Sequence, residues 1–154
     1  MLPMAPSRQK LQHISILAIG RIKDRELEIM ARDFAKRISH DIRLTVESIK
    51  DSNPEQEAKR LLTRIKKKRG FVFALSEDGR SYTSKQFSTR LYELGPQIYF
   101  IVGGPFGLAP AVRQSANEVL SLSPMTFPHE MAQVMLLEQI YRAISIYHNR
   151  KYHK

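Results

Sequence analysis

The sequence predicts an α/β domain with a largely parallel sheet and helices on both of its faces. Three observations predict it. Short apolar runs alternate with amphipathic helical segments along all 154 residues, with no internal repeat and no linker. Runs such as Phe71–Leu75 and Ile98–Val102 are apolar throughout, as in strands covered on both faces. The runs stop at small or turn-forming residues, Gly20, Gly103-Gly104-Pro105 and Ser123-Pro124, as strands do at the mouth of such a sheet.

Taken in order, residues 1–12 are polar, hold two prolines and read as a disordered extension, with residues 13–154 as one domain. Ile14–Ile19 is a first buried strand. Asp24 caps a helix whose apolar positions Leu27, Met30, Ala31, Phe34, Ala35 and Ile38 follow the helical repeat. Ile42, Leu44 and Val46 alternate with polar neighbours, as in a strand near a sheet edge. After the break at Asp51–Pro54, Ala58, Leu61, Leu62 and Ile65 mark a second helix. It ends in Lys66-Lys67-Lys68-Arg69 and Gly70; cations suit the last turn and Gly70 suits a C-cap, so phosphate contact is not required to explain them. Phe71–Leu75 is a central strand followed by a turn at Asp78-Gly79, and Thr83-Ser84-Lys85-Gln86 fits a capping box that opens a third helix. Ile98–Val102 is the next central strand, followed by a short helix around Ala111–Asn117 and a strand at Val119–Leu122. The last helix, from about Glu130 to Tyr147, is apolar over more than one stripe, as in a helix buried on two sides, in a core or against a second subunit.

Charge narrows the partners. There are 25 Lys and Arg against 15 Asp and Glu, a net charge of +10 with a pI near 10.0, which points to a polyanion, nucleic acid first. The absence of cysteine excludes disulfides, thiolate zinc sites and cysteine nucleophiles. No apolar run approaches the roughly 20 residues needed to span a bilayer. The first residues lack the apolar core of a signal peptide, so the cytoplasm is the expected compartment. The five histidines, His13, His40, His129, His148 and His153, show no metal-ligand spacing, and no metal is expected.

The ends of Ile98–Val102 and Val119–Leu122 define the crevice where an open α/β sheet binds its ligand. The loop Gly103-Gly104-Pro105-Phe106-Gly107 lacks the Gly-Lys-Ser/Thr of a phosphate loop and the spacing of a dinucleotide fingerprint. Its glycines suit close approach by a ligand and a tight turn equally. His129 opens the last helix close to the crevice, where it could polarise or deprotonate a substrate; a helix-start histidine bonded to a loop is the simpler alternative. Arg142 lies among apolar helix residues, and a guanidinium there needs an anion or an internal partner such as Glu138, four residues earlier. The tail Tyr147–Lys154 mixes rings able to stack on bases with cations able to hold phosphates, and a frayed basic terminus is the alternative.

The segments I-V-G-G-P-F-G-L, S-L-S-P-M-T-F-P-H, E-Q-I-Y-R-A and the terminal Y-H-K, with the opening I-L-A-I-G-R-I-K, closely resemble the RlmH (YbeA-like) branch of the SPOUT methyltransferases. The likeness runs from about Ile14 to Lys154 in four ordered motifs. It implies an α/β SPOUT sheet with a C-terminal deep trefoil knot, an exception to the rule that chains avoid knots. It implies S-adenosylmethionine as cofactor, held at Leu75, Gly103, Gly104 and the run Leu122, Ser123, Pro124, Met125, Thr126 and Phe127. It further implies a homodimer packed through the knot helices and methylation of N3 of a pseudouridine in 23S ribosomal RNA. The rival reading keeps the fold as a non-catalytic RNA-binding or ribosome-assembly protein. For catalysis the candidates are His129 and His153 for proton handling, Arg142 for orienting a carbonyl or phosphate, and Tyr152 for stacking. Two positions depart from the family pattern: Gln133 stands where a basic residue is usual, and Phe106 where a polar one is common.

Overall fold

The structure, a computed structural model, describes residues 10–154. Five strands alternate with five helices: β1 (His13–Ile19), α1 (Arg25–Ile38), β2 (Arg43–Ile49), α2 (Pro54–Lys66), β3 (Phe71–Ser81), α3 (Ser84–Glu93), β4 (Gln97–Val102), α4 (Pro110–Ser115), β5 (Glu118–Ser121) and α5 (His129–Tyr147). All pairings are parallel and the strand order is β2-β1-β4-β3-β5. Residues 1–9 of the expected extension lie outside the described residues. The ordered chain starts before residue 13: Leu11 is only 4% exposed, and the amides of Gln12 and His13 both donate to the Pro96 carbonyl at 2.9 Å.

The alternation within each strand builds two cores. Ile14, Ile16 and Ala18 of β1, Phe73 of β3 and Ile98, Phe100 and Val102 of β4 face one side, packed against α1, α3 and α5. Leu17 and Ile19, Val72, and Tyr99 and Ile101 face the other, under α2 and α4. Phe73 and Phe100 are fully buried and stacked, with centroids 5.1 Å apart; burying each ring contributes on the order of 2–3 kcal/mol. This two-sided burial is why the central strands read as unbroken apolar runs. Among the described residues β2 pairs with β1 alone, and Val46 is 48% exposed, in keeping with the edge pattern of its sequence.

Caps fix the helix starts where the sequence places them. Asp24 accepts from the Leu27 amide at 2.9 Å, and Thr83 and Gln86 form the reciprocal capping box. Strand β3 differs from expectation. It does not end at Leu75: residues 76–79 bulge outward, and Arg80 and Ser81 rejoin β5 opposite Leu120 and Ser121. Asp78-Gly79, expected as a turn that ends the strand, lies instead within β3, in the stretch where its register against β5 shifts.

Candidate active site

Three neighbouring strands, β4, β3 and β5, end on the same side of the sheet, and the first turn of α5 closes over them. Between them lies a cleft of about 560 Å³, part of it open to solvent. Its walls are Leu75, Ser76 and Glu77 from the β3 bulge, and Val102, Gly103, Gly104 and Gly107 from the end of β4. Leu122, Ser123, Met125 and Phe127 from the β5–α5 loop, with His129 and Ala132 from α5, complete it. The size and the apolar lining with a few polar groups suit a small ligand.

The glycine loop is shaped by backbone contact. The Gly107 amide donates to the Gly104 carbonyl at 3.0 Å, and Gly107 has a φ of 69°, a left-handed conformation that favours glycine. A Cβ on Gly103 would stand 2.8 Å from the Gly107 carbonyl carbon, and one on Gly104 would stand 2.9 Å from Ile19 Cγ2. Side chains are excluded there, so the wall is bare backbone that a ligand can approach. Phe106, at the tip of the turn, is 68% exposed and does not line the cleft.

The expected crevice between β4 and β5 is therefore wider than the sequence suggests. β3 separates those two strands, and its bulge supplies Ser76 and Glu77, which sequence reasoning missed. Leu75, Gly103, Gly104, Leu122, Ser123, Met125 and Phe127 line the cleft together, and His129 joins them. Pro124 and Thr126 belong to the same loop but stand exposed, off the cleft wall. Glu130 fastens this corner by accepting from the backbone amides of Lys23 and Asp24, which docks the β1–α1 loop, with exposed Arg21 and Lys23, against the start of α5.

Arg142, Tyr152 and His153 lie elsewhere. The tail folds back along α5, and the three meet around Glu138. Arg142 Nε donates to Glu138 Oε1 at 3.0 Å, the Tyr152 hydroxyl donates to the same oxygen at 3.0 Å, and Arg142 Nη1 donates to His153 Nδ1 at 3.1 Å. The Glu138 hydrogen bond raises the Arg142 pKa further, so its charge persists. Burial, then the bond to Glu138, pushes the Tyr152 phenol above its ordinary value, so at neutral pH it is a donor and not a base. A guanidinium only donates, so His153 Nδ1 accepts and its Nε2 is left to carry the outward proton. Arg142 thus has both the internal partner the sequence allowed and a place in a polar cluster.

A second anchor holds the tail. Asn149 takes a left-handed turn with φ 56°, and Arg150 makes a paired bond to Asp41, with Nη1 on Oδ2 at 2.8 Å. That bond holds the Asp41 carboxyl below its ordinary value. The tail is therefore not a free basic strand. Tyr147 stacks on Tyr92 with centroids 3.6 Å apart, and Tyr152 packs edge-on against Tyr141 beneath the Arg142 guanidinium. Gln133 is buried, with its amide nitrogen unpartnered, and so does not stand at the surface where an RNA contact would need it.

Along the α5 axis, Glu138 and Arg142 lie about 14 and 20 Å from His129 at 1.5 Å per residue. One chain does not bring His129 and the Arg142 cluster together. Among the described residues no helix is long and apolar enough to cross a membrane, and no group of three His, Cys, Asp or Glu is placed to hold a metal.

Comparison with known proteins gives a consistent family. The model of the family described as "Predicted SPOUT methyltransferase" matches residues 12–153. The chain is 40% identical over 145 residues to the ribosomal RNA large subunit methyltransferase H of Prochlorococcus marinus strain NATL2A, covering 94% of this chain and 97% of that one. It is 36% identical to the protein of the same name from Exiguobacterium sibiricum and 37% identical to that from Bifidobacterium animalis subsp. lactis, in both cases over 92% of this chain and 99% of the relative.

Proposed function

This chain belongs to the SPOUT methyltransferase family, and from that premise we propose that it transfers a methyl group from S-adenosylmethionine to N3 of a pseudouridine in 23S ribosomal RNA, in the cytoplasm. The observation that carries the reading is the cleft at the ends of β4, β3 and β5, with His129 on its rim. Its wall at Gly103 and Gly104 is bare backbone, packed too closely on Gly107 and Ile19 to carry side chains, and its apolar remainder suits an adenosine and a thioether chain. Leu75, Gly103, Gly104, Leu122, Ser123, Met125 and Phe127 would hold the cofactor, with Pro124 and Thr126 shaping the same loop. Once bound, S-adenosylmethionine supplies an already electrophilic methyl group.

The protein's own tasks are then to position the imide nitrogen, to help its proton leave and to stabilise the charge that spreads onto the flanking carbonyls. His129 is the base candidate because it lines the cleft at the start of α5. The Arg142 guanidinium and the outward Nε2 of His153 are donors suited to the carbonyls. Tyr152, packed on Tyr141 with Arg142 over its ring, would stack on the target base through the ring face opposite the guanidinium. The target base must be unpaired or extruded, because pairing blocks its imide edge.

The separation of His129 from the Arg142 cluster supports a homodimer as part of the same proposal. α5 leaves Met131 and Met135 exposed, at 41% and 37%, and the adjoining loop leaves Met125 at 74%. A two-fold pairing of α5 with a second copy, running antiparallel, covers that apolar strip. It also sets the tail cluster of one subunit beside the partner's cleft. The trefoil knot belongs to this reading too, supported by the glycine turn and the β5–α5 loop lining one cleft with the first turn of α5.

The test is transfer of labelled methyl from S-adenosylmethionine to ribosomes lacking the modification, with the product nucleotide mapped by mass spectrometry. The expected outcome is label on N3 of a large-subunit pseudouridine. Cofactor binding without transfer to any ribosomal RNA would sink the assignment and favour the RNA-binding scaffold.

A further inference from the structure

A groove on the flank of the molecule, between β2 and α2, carries charge that the cleft and the tail do not use. It is open, about 1010 Å³, and its charged wall residues are Lys50, Lys59, Arg60, Arg64, Lys67 and Glu47. All five cations are exposed. Arg60, Arg64 and Lys67 recur at four- and three-residue steps and share one face of α2, and Lys59 to Lys67 spans about 12 Å at 1.5 Å per residue. Glu47, paired with Arg64 at 2.9 Å, offsets one of the five cations and leaves a surplus of four in the groove wall. Arg60 Nη1 donates to the Lys50 carbonyl at 2.9 Å, which holds its head group against the β2 end. Residues 50–69 carry eight cations against three acids, a surplus of five out of the chain's net +10.

Helix-dipole complementarity accounts for Arg64 and Lys66 in the last turn of α2. It does not account for Lys50 at the end of β2, and Lys59 in mid-helix has only an exposed, solvent-screened pair with Glu55 at 3.8 Å. The groove opens at the same strand ends of the sheet as the cleft. Lys50 follows the C-terminal end of β2, the Gly20 amide donates to the Ile49 carbonyl at 2.7 Å, and β1 lies between β2 and β4. Exposed Arg21 and Lys23 of the β1–α1 loop therefore bridge the groove to the cleft corner.

We propose that this groove is a second docking surface for the substrate RNA, one that grips the phosphodiester backbone away from the target nucleotide. The proposal rests on the RNA-methyltransferase reading above. An RNA whose target base enters the cleft runs over the Arg21–Lys23 loop and along α2, held by charge and without base readout.

The experiment measures equilibrium binding of the full chain to deproteinised large-subunit ribosomal RNA between about 50 and 200 mM salt. The groove variant is Lys50→Gln/Lys59→Gln/Lys67→Gln. A control, Arg32→Gln/Lys36→Gln/Lys85→Gln, removes the same charge from the helices on the opposite face of the sheet. The groove variant should bind about tenfold more weakly, with a salt slope shallower by about two to three units, roughly one per lost phosphate contact. The control should change affinity by about twofold or less, and Lys50→Arg/Lys59→Arg/Lys67→Arg should bind like wild type. Equal weakening by groove and control variants, or weakening with an unchanged salt slope, overturns the groove. Because binding is read without turnover, wild-type RNA binding without methyl transfer counts against the methylation reading and leaves the groove standing.

Discussion

Deleting Tyr152–Lys154 should lower methyl transfer by about a hundredfold or more, with cofactor affinity held within about twofold. The asymmetry follows from where the groups sit. Tyr152 and His153 hang from Glu138 and Arg142 on the C-terminal half of α5, well away from the cleft that is to hold the cofactor. Removing them takes away a stacking ring and an outward ring N–H, and it uncovers Arg142, but it touches no cleft wall. His129→Ala should lower turnover by a similar factor for a different reason, the loss of the base candidate on the cleft rim. Tyr152→Phe separates chemistry from packing. It keeps the ring against Tyr141 and loses only the hydroxyl bond to Glu138, so its loss should be far smaller than that of the deletion. Single-turnover rates, with calorimetry for the cofactor, read both quantities. Wild-type turnover in the deletion and in His129→Ala would remove these residues from the mechanism.

Gly103→Val should abolish measurable cofactor binding, a loss of at least about a hundredfold, while ribosomal RNA binding persists. A Cβ at this position meets the backbone of Gly107 at 2.8 Å, and backbone cannot swing aside as a side-chain end can. The 104–107 turn must open, and the bare wall of the cleft is lost with it. Phe106→Ser, at the exposed tip of the same turn, is the matched control and should bind the cofactor like wild type. Retained cofactor affinity in Gly103→Val would mean that the cofactor lies elsewhere.

Much of the scaffold is legible in the residues because it is set locally. The apolar runs, the Asp24 cap and the Thr83–Gln86 box each depend on residues within a few positions of one another. Seven of the nine cofactor positions implied by resemblance gather in one cleft for the related reason that strands end at small residues. The bulge of β3 is not legible. Asp78-Gly79 signals a turn whether the chain leaves the sheet or returns to it, and here it returns, carrying Ser76 and Glu77 to the cleft. The tail is harder still. Its path depends on the Asp41–Arg150 pair, 109 residues apart in sequence, and on a left-handed Asn149. No periodicity encodes either. Hence a run that reads as a free strand of stacking rings and cations is, in one chain, folded onto α5 with Tyr147, Arg150 and Tyr152 already engaged.

In the proposed dimer, the cleft of one chain and the tail cluster of the other form one active site. Mixing tests it most directly. Chains carrying His129→Ala and chains lacking Tyr152–Lys154 are each inactive alone, and the two are unfolded together and refolded as an equal mixture. Half of the resulting dimers are mixed, and each mixed dimer holds one intact site out of two, so about a quarter of wild-type turnover should return. A mixture as inactive as its two components would contradict a site built from two chains.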